Sequence, residues 1–153
     1  MSGKRKVAVR GHVSSGVGHW RVRLTDHGDV FTAAFGEVLY PGTLNVTLPY
    51  AVPILPFLRV SGRVIEGDEE DYLVERCRIY RGHGRSTRKA VSVYRVRPYH
   101  RQFGWGGHGD HVLEIVSAIR LRDILGDLQD GDPVTVEMYR PDLVGFLEPE
   151  TSK

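Results

Sequence analysis

The residue types with most chemical capacity in this chain of 153 residues stand two apart, Thr43 and Asn45 in the stretch YPGTLNVTL. In a strand, alternate side chains share a face, so the Thr hydroxyl and the Asn amide carbonyl point the same way, with Thr47, while Leu44, Val46 and Leu48 share the other face. Both oxygens are donors of the kind a hard cation accepts. Asn is depleted in strands because its short amide competes for the backbone. The stretch reads either as a solvated strand face or as half of a metal site.

A second candidate is Glu114, inside the apolar run of HGDHVLEIVSAIRLRDIL and flanked by Leu113 and Ile115. Burying a carboxylate without a partner is costly, so Glu114 either points outward on an edge or is held for use. A third is GHVSSGVGHWR, where Gly16 and Gly18 lie between strand-like patterns. Glycines let backbone amides turn inward and approach a phosphate chain closely. A hairpin loop needs the same residues, and the stretch lacks both the GKS or GKT ending of a P-loop and its following helix. His108, Asp110 and His111 are metal-ligand types, but their Gly-rich setting reads as a polar loop.

These residues need a scaffold. The runs KVAVRGHV, HWRVRLT, TLNVTL, FLRVSGRVIEG, YLVERCRIYRG, AVSVYRVR and VTVEMY all fit the strand template, so many short strands in one small domain predict a barrel or a sandwich. Apolar residues at helical intervals predict short helices in DVFTAAFGEVLY and in AIRLRDILGDL. EGDEEDY, residues 66 to 72, reads as a solvated hairpin turn, and RGHGRSTRK, residues 81 to 89, as a basic loop. A single domain is expected, with its core over residues 7–140 and a short C-terminal tail.

With 21 Lys plus Arg against 19 Asp plus Glu, the net charge is +2, so no global field recruits a polyanion. The single Cys excludes an internal disulfide and a cysteine-rich zinc site. The basic N-terminus lacks the apolar core of a signal peptide, and no apolar run reaches the ~20 residues of a spanning helix, so a cytoplasmic protein is expected.

Taken together and in order, the pieces resemble the archaeal CTP-dependent riboflavin kinases, from about Val9 to Met138. The resemblance implies a mainly β fold, a small closed six-stranded cradle-loop (RIFT-related) β-barrel with one or two short helices. It implies transfer of the γ-phosphoryl of CTP to riboflavin, giving FMN and CDP. YPGTLNVTL is similar to the family's Gly-Thr-Leu-Asn stretch and implies Thr43 and Asn45 as magnesium ligands. SGVGHWR resembles the nucleotide loop and implies contacts from Gly16, Val17, Gly18, His19, Trp20 and Arg21, although His19 and Trp20 stand where the family commonly has Glu-Gly. VLEIVSAIRLRDIL places Glu114 at the flavin-side carboxylate as positioning group or general base, and Ile119, Arg120, Leu121 and Arg122 at the second nucleotide segment.

Upstream, PYHRQFGWGGHGDH holds no Thr or Ser where the family has a flavin-contacting Thr; Tyr99, Phe103 and Trp105 offer flat surface there instead. The expected partners are small molecules, with neither nucleic acid nor membrane, and the expected state is a monomer. Two other readings stay open, a barrel that binds flavin or nucleotide without turnover, and a DNA-binding barrel built on the closing DGD turn and the basic RCRIYRGHGRSTRK region. Near-neutral charge weighs against the second.

Overall fold

The computed structural model describes residues 4–15, 28–54, 58–61, 71–84, 90–98 and 111–141. Seven strands run β1 (Lys4–Ser14), β2 (Leu44–Thr47), β3 (Leu58–Ser61), β4 (Asp71–Arg81), β5 (Val91–Pro98), β6 (Val112–Val116) and β7 (Pro133–Pro141). Two helices interrupt them, α1 (Gly28–Phe35) and α2 (Leu121–Ile124). The sheet order is β3-β4-β5-β6-β2-β1-β7, and β4 also pairs with β7. That last pairing closes six strands into an antiparallel barrel, with β3 laid beside the first half of β4. Closure leaves no exposed ladder edge in the ring.

The interior follows from period-two alternation. Val9 and Val13 from β1, Leu44 and Val46 from β2, Cys77 and Ile79 from β4, Leu113 and Ile115 from β6, and Val134, Val136 and Met138 from β7 form one buried cluster. Each such side chain contributes about 1.5–3 kcal/mol relative to leaving it in water. Gly11 is required where β1 meets β2: a Cβ there would lie 2.5 Å from the Thr47 carbonyl oxygen and 2.8 Å from Leu48 Cδ2. From α2, Leu121 and Leu125 enter the same cluster.

A second cluster lies outside the barrel, where α1 covers β4, β5 and β6. Phe31 packs against Tyr72 with ring centroids 5.5 Å apart, and Phe35 against Tyr94 at 4.5 Å. Val74, Val96, Val116 and Leu39 complete it. The Tyr94 hydroxyl donates to Glu37 at 3.1 Å. Burial, reinforced by that carboxylate, pushes the Tyr94 pKa upward, with Arg76 opposing.

The structure corrects the sequence reading in two places. Val112–Val116 is a strand that the alternation rule passes over, because Val116 is buried on the outer face under α1 while Leu113 and Ile115 are buried inside. Tyr72 is not part of a solvated turn: it is fully buried in β4, next to Phe31. Residues 66–70 of that stretch, the HWRVRLT run and most of RGHGRSTRK lie outside the described residues.

Candidate active site

The register of the barrel brings the strand candidates together. Asn45 on β2 is paired with Ser14 on β1 and with Glu114 on β6, and Glu114 is paired in turn with Val96 on β5. Side chains directly opposite across an antiparallel pair have Cβ atoms about 4.5–5.5 Å apart, so Ser14, Asn45 and Glu114 form a row on the outer face. Because β6 lies between β5 and β2, Glu114 is not on an edge.

Asn45 is only 2% exposed, while Thr43, Thr47, Ser14 and Glu114 on the same face are partly buried, so the Asn45 amide itself is not a solvated group. The Thr43 hydroxyl donates to Asn45 Oδ1 at 3.3 Å, and the Thr47 hydroxyl donates to Ser14 Oγ at 2.9 Å. The Thr43 and Asn45 oxygens are thus neighbours at a separation near the ~2.9 Å between adjacent ligands of an octahedral magnesium with ~2.05 Å bonds. The donor set fits a hard cation that brings its remaining ligands from water or a phosphate. Among the described residues, no three His, Cys, Asp or Glu side chains gather to hold a metal, and His111 is exposed at the start of β6; His108 and Asp110 lie outside the described residues.

Thr43 also belongs to a cavity of about 230 Å³ at the barrel end. Its walls are the Tyr40–Leu44 turn, Ile115 and Ser117 at the end of β6, and Ile119, Arg120, Leu121 and Arg122. The local sequence dictates this shape. Tyr40 N–H donates to the Ser117 carbonyl at 2.8 Å, fastening the Pro-Gly turn to β6. Ser117 Oγ accepts from Ile119 N–H at 3.2 Å, turning the chain out of the strand and into α2.

Two guanidiniums stand at this cavity. Arg120 pairs with Asp123 at 2.8 Å, three residues on, and Arg122 pairs with Asp130 at 2.9 Å while donating to the Leu128 carbonyl at 2.8 Å. Exposed pairs of this kind are worth about 0–1 kcal/mol, so an incoming anion can replace the Asp123 carboxylate at little cost, whereas Arg122 is held at two points. The structure therefore unites Thr43 with Asn45 and Glu114 on one side and with Ile119 to Arg122 on the other. Gly16 to Arg21, and the aromatic residues Tyr99, Phe103 and Trp105, lie outside the described residues.

Sequence reasoning missed Tyr40 and Ser117. The available signals were an aromatic just before Pro-Gly and a Ser where a strand run meets a helical one.

The family model for CTP-dependent riboflavin kinases, described as domain of unknown function DUF120, matches residues 13–138. The chain belongs to that family. Its match takes in Thr43, Asn45 and Glu114 as well as every cavity residue. Among relatives, the riboflavin kinase of Archaeoglobus fulgidus is 31% identical over 139 residues, covering 86% of this chain and 54% of the relative. That of Halobacterium salinarum is 30% identical over 145 residues, covering 87% and 57%. That of Thermofilum pendens is 31% identical over 145 residues, covering 85% and 58%. The chain thus spans little more than half the length of these curated relatives.

No helix among the described residues is long and apolar enough to cross a membrane.

Proposed function

We propose that this chain is a CTP-dependent riboflavin kinase, moving the γ-phosphoryl of CTP to the ribityl 5′-hydroxyl of riboflavin to give FMN and CDP. The observation that carries the reading is the pairing of Asn45 and Glu114 on adjacent strands, with Thr43 just before β2 bonded to Asn45, beside a cavity whose wall holds Arg120 and Arg122. Family membership and the riboflavin kinase relatives support the same reaction.

Phosphoryl transfer asks the protein mainly to hold the donor, offset its charge and align the acceptor. The nucleotide occupies the cavity, with its phosphates met by the Gly16–Arg21 backbone amides and by Arg21, with Arg120 trading its carboxylate partner for phosphate oxygens and with Arg122, held by Asp130 and the Leu128 carbonyl, adding positive charge. Thr43 and Asn45 hold magnesium, which offsets phosphate charge when bound. Glu114 accepts a hydrogen bond from the riboflavin 5′-hydroxyl. As the new bond forms between that oxygen and the γ-phosphorus, the bond from phosphorus to the β,γ-bridging oxygen breaks, CDP leaves, and the hydroxyl proton passes to the Glu114 carboxylate.

The test is FMN formation from riboflavin and magnesium with CTP, ATP, GTP and UTP offered separately. FMN formed mainly with CTP, and lost in Asn45→Ala, is the expected result. Glu114→Gln should slow the reaction ~100-fold to ~10,000-fold as a general base, and less if it only positions the hydroxyl. CTP binding without FMN from any donor would instead mark a nucleotide-binding barrel without this turnover.

A further inference from the structure

The DGD turn before β7 ties together two parts of the site that are far apart in sequence. Asp132 serves the turn itself: its carboxylate accepts from Gln129 N–H at 2.8 Å and from Arg81 at 3.2 Å, while its own N–H donates to the Gln129 carbonyl at 3.0 Å. Gly131, at φ 91°, supplies the left-handed residue. The backbone then locks the turn onto the end of β1, with Gly131 N–H donating to the Val13 carbonyl at 2.7 Å and Val13 N–H to the Asp132 carbonyl at 2.9 Å.

Asp130 takes no part in that holding. Its carboxylate reaches out of the turn in two directions, accepting from the Ser15 hydroxyl through Oδ2 and from Arg122 Nη2 through Oδ1 at 2.9 Å. Ser15 is the residue from which the chain runs into Gly16, and Arg122 is a wall of the cavity. Arg122 is fixed a second time by the Leu128 carbonyl, so its guanidinium plane is set from both sides.

We infer that Asp130 is a positioning residue for the nucleotide: it clasps the strand end leading into the glycine-rich stretch to the Arg122 side chain of the cavity wall. The inference rests on the phosphoryl-transfer reading for the identity of the ligand, a nucleoside triphosphate. Because backbone bonds and Asp132 already hold the turn, removal of the Asp130 carboxylate leaves the fold in place and releases only Ser15 and Arg122.

Asp130→Ala is compared with the parent protein by CTP titration in the presence of magnesium, by steady-state kinetics and by thermal unfolding. The dissociation constant and KM for CTP should rise about two- to fivefold, the size of an exposed ionic contact, while kcat and the riboflavin KM change less than about twofold. The unfolding midpoint should stay within about 2 °C. Asp130→Asn, which can still accept from Ser15 but has lost the charge facing Arg122, should fall between the two. Adding Ser15→Ala to Asp130→Ala should weaken CTP binding no further, since both remove one contact.

Unchanged CTP affinity in a folded Asp130→Ala variant would overturn the inference. So would equal losses on both substrates that follow a lowered midpoint, because they would mark a structural role. If the parent binds CTP but makes no FMN, the kinase reading fails, and the dissociation constants still decide the role of Asp130. A parent that binds no CTP removes both.

Discussion

Ionic side chains occupy two settings in this barrel, and the contrast separates what specifies the fold from what serves the site. Among the inward-facing residues, Glu75, Arg95 and Arg97 are 3%, 1% and 7% exposed, and Arg95 Nη1 lies 3.9 Å from Glu75 Oε1. At the cavity, Arg120 with Asp123 and Arg122 with Asp130 pair at 2.8 and 2.9 Å through side chains between 28% and 64% exposed. Charges taken out of water carry a desolvation penalty that only their partners offset, so losing one partner is severe. Charges at the mouth keep their hydration, and their partners can be exchanged. The interior set locks one arrangement of β4 and β5; at the mouth, the Arg120–Asp123 pair is free to trade carboxylate for phosphate.

The contrast breaks most directly at Arg95. Arg95→Ala should destabilise the protein by about 3–5 kcal/mol in urea unfolding, because Glu75 stays buried without that charge beside it. A loss below about 1 kcal/mol would mean that the interior pair is no more structural than the mouth pairs. Gly11→Ala probes the interior without charge. The added methyl meets the Thr47 carbonyl and Leu48, so β1 and β2 must part, at about 1–3 kcal/mol. At the mouth, Asp123→Ala should change stability by less than about 1 kcal/mol in the same assay. A cost equal to that of Arg95→Ala would erase the distinction.

The same contrast explains what the sequence could convey. Alternation in KVAVRGHV and VTVEMY locates β1 and β7, the alternating second half of YLVERCRIYRG locates β4, and helical spacing locates α1 and α2. Alternation fails for β6, where α1 buries the outer face as well. It also hides the interior ions: Glu75, Arg95 and Arg97 share inward positions with Cys77, Ile79 and Val93, and only the closed register reveals them. For the site, Thr43 and Asn45 share a face by strand geometry alone. That Glu114 stands opposite Asn45 depends on the pairing of two strands far apart in the sequence, which no local pattern encodes. The role of Asp130 was hidden likewise, since a DGD turn has a sufficient reading as a turn.

The smallest effect belongs to Asp130 itself, and it sharpens the comparison through pH. Its pKa is held below the usual aspartate value, first by the Ser15 hydrogen bond and then by the hydrogen bond and charge of Arg122, with slight burial opposing. A carboxyl whose folded pKa lies below its unfolded value favours the folded state above the unfolded value, about 3.9, and that preference vanishes as pH falls through the folded pKa. Any stability difference between the parent and Asp130→Asn should therefore be present near neutral pH and close below about pH 4. Carboxyl carbon NMR resolves the site directly. Ser15→Ala and Arg122→Gln should each move the Asp130 midpoint upward, because each removes a contact that favours the carboxylate. If only Arg122→Gln moves it, the clasp is an ordinary surface ion pair, and Asp130 joins Asp123 among the exchangeable charges of the mouth.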